Sequence, residues 1–444
     1  MKKILVLLIT FFSMITCINA KTIKKDFSTV INESGVDIES ISVSIKNLDN
    51  GKIAYSLNDK MLMNPASVQK ILTTPVSLDT LGNDFEFSTE IYSRDSESFL
   101  IKLGADPYLT TSDLKKLISH VGKDSKRIYI DDSILDNKIW GEGWQWDDDM
   151  NILMPKFNSY NLDKNLIKLT IMPSDNNQFA TIINPSKYPL VFFNNITTGE
   201  KTTLDIHRDN TVSNNTLVLS GTIARPTTIY IPSNNLKRYF EVQLTRLLEN
   251  KKIYLKENYI SSKQSSKDKF EDKITHPIDF AINDILKNSN NLVSETLFKI
   301  AGAKHCSLKT GTDTAGIKMF NDYCTKNNLD NSRIRITDAS GVSKNNLVST
   351  DFITEFIRIN KNNDILNKLP SPGEGTLTHR MLPIKDKLKA KTGTLSDISS
   401  IAGILTSKSN KRYAFCIIIN DTKLSNSDKK MLEDYIIREA YIRL

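Results

Sequence analysis

Residues 386–405 read DKLKAKTGTLSDISSIAGIL. Leu388 and Ala390 alternate with polar neighbours up to Lys391-Thr392-Gly393-Thr394. A polar Ser396-Asp397 pair follows, and an apolar run then extends from Ile398 to Leu405. This pattern predicts two strands joined by a tight turn. A third strand, RYAFCIIIN (412–420), and a helix over 427–443 complete the C-terminal section. Gly393 within the first strand lets another backbone approach closely. The same tetrapeptide also occurs at Lys309–Thr312, where DTAGIKMFNDYC follows it. There Thr312 or Asp313 can cap a helix whose apolar stripe includes Ile317, Phe320 and Cys324. That copy reads as a loop entering a helix. Its likeness to a phosphate loop fails, because Ile317 rather than Lys follows Gly316 and no strand leads into it.

Working outward, residues 40–57 alternate as a hairpin, turning at Asp49-Asn50-Gly51. NPASVQKILTT (64–74) reads as a helix with Pro65 in its first turn. Pro75 then removes a helix hydrogen bond and predicts an end or kink. Residues 86–234 change character, with short β-rich runs such as KLTIMP (168–173) and LVLSGTI (217–223) between Asn, Ser, Asp and Pro clusters. From Asn235 helical spacing returns in LKRYFEVQLTRLLEN (236–250). SSKQSSKDKFEDK (261–273) reads as a flexible loop. PIDFAINDILKN (277–288) and LVSETLFKIAG (292–302) are predicted helices flanking Ser289-Asn290-Asn291. The tetrapeptide is too short to count as an internal repeat.

The chain opens MKKILVLLITFFSMITCINA. Two lysines, an apolar stretch from Ile4 to Ile15 and Ile18-Asn19-Ala20 form a secretory signal with cleavage after Ala20. No later apolar run approaches the ~20 residues needed to span a bilayer. Of the 444 residues, the 424 left after that cleavage (444 − 20) fit roughly two or three cored domains, and the net charge of the full chain is +8. Basic residues are scattered among acidic ones with no aromatic-basic stripe, so no nucleic-acid partner is expected. Attraction to anionic lipid or wall polymer stays open as a peripheral contact. Three cysteines remain beyond the signal, Cys306, Cys324 and Cys416, and an odd number leaves at least one unpaired or bridged between molecules. Whether Cys306 and Cys324 pair is left open. No ligand spacing suggests a metal site, and no cofactor is expected.

Ser67 and Lys70 lie three residues apart on a predicted helix and so share a face. A serine hydroxyl needs a base to become a nucleophile. A lysine serves as that base only if burial or neighbouring charge depresses its pKa. In a short loop between helices, Ser289 could relay protons and Asn291 could hold a substrate amide. On the edge strand, Lys391 and Thr392 can meet a carboxylate, and the Thr394 N–H can face an oxyanion. Each motif alone is equally an ordinary surface feature; their order, each in its required element of an exported chain, is what carries information.

That order resembles the penicillin-recognising serine-enzyme signature. The chain is similar along its length to the class C low-molecular-mass penicillin-binding proteins, the DacB-like D-alanyl-D-alanine carboxypeptidases/endopeptidases. NPASVQKILTT matches the nucleophile helix, and the stretch from Ser67 to Ser289 accommodates the class's insert. LGADPYL (103–109), IWGEGWQWDDDM (139–150), DASGVSKNNLVS (338–349) and GEGTLTHRM (373–381) follow in family order. The resemblance places the third motif at Lys391–Gly393, because Lys309 follows Ser289 too soon.

It implies an α+β serine transpeptidase/β-lactamase-like fold, an antiparallel sheet flanked by helices with a large β-rich insert. The corresponding division is a signal at 1–20, a discontinuous catalytic domain at 21–85 plus 235–444, and an insert at 86–234. It implies catalysis by Ser67, Lys70 and Ser289, with substrate held by Asn291, Lys391, Thr392, Gly393 and Thr394. Asp106 could pair with an amine on the stem peptide's third residue, or simply form a turn before Pro107. The implied activity is D-Ala-D-Ala carboxypeptidase action on peptidoglycan stem peptides in the periplasm or outside the cell. β-Lactams would act as inhibitors, and endopeptidase cleavage stays open. The competing readings are a serine β-lactamase and an inactive wall-binding protein. Trp140, Trp144 and Trp146 beside Asp147–Asp149 suggest a structural segment packing the insert near the cleft, in preference to a sugar or calcium site.

Overall fold

The computed structural model describes residues 27–175, 179–257 and 259–444, so the signal segment at 1–20 lies outside the described residues. Nine helices among those residues are numbered in chain order: α1 (Phe27–Glu33), α2 (Lys70–Leu81), α3 (Thr111–Leu117), α4 (Leu236–Asn250), α5 (Ile278–Asn288), α6 (Asn291–His305), α7 (Asp313–Lys326), α8 (Thr350–Ile359) and α9 (Asn426–Arg443).

The organising element is a five-stranded sheet built from both ends of the chain. Strands β1 (Ile41–Asn47) and β2 (Ile53–Leu57) form the expected hairpin. All neighbours in this sheet are antiparallel. The C-terminal strands Leu388–Leu395, Ile398–Thr406 and Arg412–Asn420 continue it outward from β1, leaving the first of them on the open edge. That edge strand carries Lys391–Thr394.

Strand Arg412–Asn420 shows why its sequence reads as a nearly unbroken apolar run. Side chains of a strand alternate between faces. Ala414, Cys416 and Ile418 point into a core shared with α2, α5, α6, α7 and α8. Tyr413, Phe415, Ile417 and Ile419 point into a second core closed by α1 and α9. The sheet is therefore sandwiched between helical layers, and α9 lies on it through Leu432, Ile436, Ile437 and Ala440.

Strands β3 (Glu86–Asp95), β4 (Ser98–Lys102) and β5 (Arg127–Asp131) begin the insert. Two three-stranded sheets follow within residues 166–232. The apolar cluster built on these strands continues into residues after 234. Leu236, Tyr239, Phe240, Leu244 and Leu248 of α4 bury into the same apolar cluster as β3–β5. Strand Lys269–Pro277 pairs antiparallel with β3. Residues 269–273, expected in a flexible loop, are therefore part of a sheet; their polar side chains occupy an edge where cross-strand hydrogen bonds need no apolar face.

Pro75 does not end its helix either. The turn Ala66–Gln69 is 3₁₀, so α2 starts only at Lys70 and runs through Pro75 to Leu81. A proline there forfeits one bond to Ile71, while Ile71, Leu72 and Val76 remain fully packed in the core. Cys306, Cys324 and Cys416 are all free thiols.

Candidate active site

Three segments converge at the edge of the five-stranded sheet. The first is the turn bearing Ser67. Asn64 accepts from the Ala66 N–H (2.9 Å) and donates to the Ser343 carbonyl (2.9 Å). Ala66 has φ of +45°, a conformation unfavourable for a residue with a Cβ. Gly341 packs against it so tightly that a Cβ there would overlap the Ala66 carbonyl. The Asp338–Ser343 segment thus holds the serine turn in its strained shape.

Lys70, one helical turn on, is fully buried. Its Nζ donates to Ser67 Oγ (2.9 Å), Asn291 Oδ1 (2.7 Å) and the Ser340 carbonyl (2.6 Å). Three acceptors match the three N–H bonds of an ammonium. Burial nevertheless disfavours the charge and lowers the Lys70 pKa to about 7, against the opposing pull of Asp338 and Glu295. Near neutral pH a large fraction of Lys70 is therefore an amine able to accept the Ser67 proton.

The second segment is the loop between α5 and α6. Ser289 ends α5 in the left-handed conformation, φ +62°. Asn290 accepts from the Val293 N–H (3.2 Å) and so caps α6. An Asn at this position performs the capping that an Asp would. Asn291 opens α6, its Oδ1 turned to Lys70 and its Nδ2 donating to the Leu153 carbonyl (2.9 Å).

The third segment is the edge strand. Lys391, also fully buried, donates to Ser289 Oγ (2.9 Å) and the Thr392 carbonyl (2.7 Å). Burial first, and then the neighbouring charge of Lys70, push it well below the ordinary lysine range. A Cβ on Gly393 would stand 2.8 Å from both the Pro65 carbonyl and the Ser67 N–H nitrogen. Only glycine lets the strand lie this close to the serine turn. Thr392 donates to Thr376 Oγ1 (2.7 Å), and Thr394 is exposed at the open edge. Ser67, Lys70, Ser289, Asn291, Lys391, Thr392, Gly393 and Thr394 are thus gathered in one place.

Asp106 stands apart from them. Its Oδ1 accepts from the Tyr108 N–H (2.9 Å), forming the turn, and its Oδ2 meets His276 Nδ1 (2.6 Å). The side chain is completely buried; that burial raises its pKa while His276 opposes the rise. A polar relay connects it to the second segment. Tyr108 donates to Asp284 (3.1 Å), and Asp284 accepts from Asn290 (2.8 Å).

Two acids underlie the site: Glu295, which the sequence reading does not single out, and Asp338, which opens the DASGVSKNNLVS segment. Glu295 accepts from the backbone N–H groups of Ser340 (2.8 Å) and Ala339 (3.2 Å). Burial and the nearby Asp338 push it up to about 8. Asp338 accepts from the N–H groups of Gly341 (2.8 Å) and Ser343 (2.6 Å), from Asn346 (2.7 Å) and from Trp144 Nε1 (2.8 Å). Together they shape the loop that offers the Ser340 carbonyl to Lys70. The signal for Glu295 was its i+4 spacing from Asn291, which puts both on one helical face.

Trp144 is buried against Trp140 and Phe157, whereas Trp146 is exposed. The first tetrapeptide serves structure. Thr312 caps α7, and a Cβ on Gly311 would meet the Lys299 carbonyl. Asp313 pairs with buried Lys299 (3.3 Å).

Known proteins are similar to this chain over most of its length. The D-alanyl-D-alanine carboxypeptidase DacB of Haemophilus influenzae is 22% identical over 417 residues, covering 87% of this chain and 86% of that protein. The D-alanyl-D-alanine carboxypeptidase of an Actinomadura species is 22% identical over 444 residues, covering 90% and 81%. The crystal structure of penicillin binding protein 4 (dacB) from H. influenzae superposes with a TM-score of 0.82 at 21% identity, over 94% of this chain and 100% of that one. Its complex with a β-lactam gives a TM-score of 0.76. Residues 23–440 match the D-Ala-D-Ala carboxypeptidase 3 (S13) family, and the chain belongs to that family.

Proposed function

We propose that this chain is a serine D-Ala-D-Ala carboxypeptidase that acts on peptidoglycan stem peptides through an acyl-enzyme on Ser67. The observation that carries this reading is the buried Lys70 amine, 2.9 Å from Ser67 Oγ and lowered to about 7.

As Ser67 Oγ attacks the carbonyl between two terminal D-alanines, neutral Lys70 takes the hydroxyl proton. The oxyanion that forms is held by the N–H groups of Ser67 and Thr394; losing one such donor typically costs ~10²–10³ in turnover. When the C–N bond breaks, the leaving amine takes a proton from Ser289. Lys391, hydrogen-bonded to Ser289, resupplies it. The substrate's terminal carboxylate lies beside Lys391 and Thr392, and its negative charge favours the ammonium form of Lys391. Water then cleaves the ester, one of its hydrogens returning to Ser67 Oγ and its hydroxyl joining the released peptide acid; Lys70 sheds the proton it took and Lys391 regains the one it gave by exchange with solvent, which restores the starting state. A β-lactam acylates Ser67 in the same way, but its leaving amine stays tethered by the opened ring.

The work of such an enzyme lies on the wall side of the membrane, which fits the leader-like start of the sequence. Among the described residues no helix is long and apolar enough to cross a membrane. Mass spectrometry of D-alanine release from a pentapeptide and from a cross-linked dimer tests the activity. Release from the pentapeptide supports carboxypeptidase action, and cleavage of the dimer adds endopeptidase action. Release from neither, with rapid turnover of penicillin, would favour a β-lactamase.

A further inference from the structure

Ser289 stands at φ +62°, in the left-handed region, where a serine stays only if its surroundings hold it. Asp284 of α5 does much of that holding. Its Oδ1 accepts from Asn288 Nδ2 (2.8 Å) and its Oδ2 from Asn290 Nδ2 (2.8 Å), so the residues on both sides of Ser289 are tied to one carboxylate. The Asp284 carbonyl accepts the Ser289 N–H, and the Asn290 N–H more loosely (3.4 Å). A third donor reaches the carboxylate from the 103–109 segment, the Tyr108 hydroxyl (3.1 Å). Phe280, one helical turn before Asp284, meets the Tyr108 ring edge-on at 4.7 Å and steadies that hydroxyl.

Asn290 is the matching half of the arrangement. Its Oδ1 caps α6 at the Val293 N–H, which leaves its amide nitrogen for Asp284. An aspartate at 290 could cap α6 equally well. It has no N–H to give, however, and would set two carboxylates at hydrogen-bond distance from each other. The loop therefore needs one acid and one amide, and the acid is at 284. Its effect reaches the chemistry through Ser289 Oγ, which receives Lys391 Nζ (2.9 Å) and has to meet the leaving amine. A proton donor works only within hydrogen-bond reach of its target.

We propose that Asp284 is a positioning residue for the reaction: with Asn290 as its charge-matched partner, it holds Ser289 where the leaving amine can take its proton. The inference rests on the Ser67 acyl-enzyme reading, with Ser289 as the proton donor.

The test is acylation of the full chain by benzylpenicillin, followed by rapid quench and intact-protein mass. It resolves the dissociation constant of the first complex, the acylation rate constant and the fraction of protein labelled at completion. Asp284→Asn turns an amide nitrogen toward one of the N–H groups it should accept, and Asn290→Asp brings two carboxylates together. Each should lower the acylation rate constant about tenfold, the scale of one lost hydrogen bond to a charged group. The dissociation constant should stay within about twofold, with full labelling. The exchange variant, Asp284→Asn with Asn290→Asp, again has one acid and one amide, with the bond between them reversed in direction. It should return to within about threefold of the wild-type rate constant. Single variants that acylate within about twofold of wild type, or an exchange variant no faster than the slower single one, would overturn the proposal. So would a smaller labelled fraction at an unchanged rate constant, the signature of a role in folding alone. In all three cases label on Ser67 of the wild type leaves the nucleophile standing. Label on another residue of the wild type would overturn the reading on which the proposal rests.

Discussion

Lys70 is asked to be a base in a place that penalises its charge, and the two consequences can be measured on one variant. Burial lowers its pKa from 10.5 to about 7. Acylation of wild type by a penicillin should therefore rise with pH to a plateau, with half-maximum near pH 7. It should fall about tenfold per pH unit well below that. The same displacement is a stability statement. The folded state binds fewer protons at Lys70 than the unfolded chain between pH 10.5 and 7. The penalty is absent above that window, grows as pH falls through it and is complete below it. Its full size is about 5 kcal/mol at 1.36 kcal/mol per pH unit. Lys70→Met removes the penalty but also three hydrogen bonds, and it leaves the Asn291 Oδ1 and Ser340 carbonyl acceptors unpaired at ~1–3 kcal/mol each. The two effects are of similar size at pH 6.5, so the stability of the variant relative to wild type should be highest there and fall by about 3–4 kcal/mol toward pH 10. Glu295, raised to about 8, runs the opposite way but is common to both proteins, so it largely cancels in the difference. Urea unfolding of both proteins across pH, beside penicillin labelling, is the assay. A wild-type acylation rate flat from pH 5.5 to 8.5, or a stability difference between the two proteins that stays constant from pH 6.5 to 10, would refute the reasoning.

Other outcomes follow from the same geometry. Lys391→Ala should slow penicillin acylation at least 100-fold, and Lys309→Ala less than twofold, both read by fluorescent-penicillin labelling. Glu295→Ala leaves two buried backbone N–H groups unpaired and should destabilise the fold by about 2–4 kcal/mol in urea unfolding at pH 4, and by less at pH 7, where removing the raised carboxyl also relieves the wild type of its ionisation penalty. Gly393→Ala places a Cβ against Pro65 and the Ser67 nitrogen, so acylation should fall more than tenfold while circular dichroism of the strands is retained.

Much of the site was legible because its motifs are local. SxxK and SxN each need only one helical turn or one loop, and strands in 388–420 announce themselves by apolar alternation. What escaped reading was nonlocal. Strand Lys269–Pro277 is polar, and only its pairing with β3, far back in the chain, makes it a strand. Asp106 offered two readings in sequence, and His276, distant in sequence, fills the space beside it. Glu295 carries no local signal of its role, which depends on the distant Ala339 and Ser340 backbone N–H groups. The two KTGT copies differ in their flanks, since a capped helix follows one and the other lies in a paired strand.

Incubation with fluorescent penicillin, followed by proteolysis and mass mapping, examines the nucleophile itself. We expect one equivalent of label on Ser67, long-lived enough to survive isolation, and none on Ser67→Ala. Equal labelling of Ser67→Ala, or label mapped elsewhere, would contradict the site assigned to this chain.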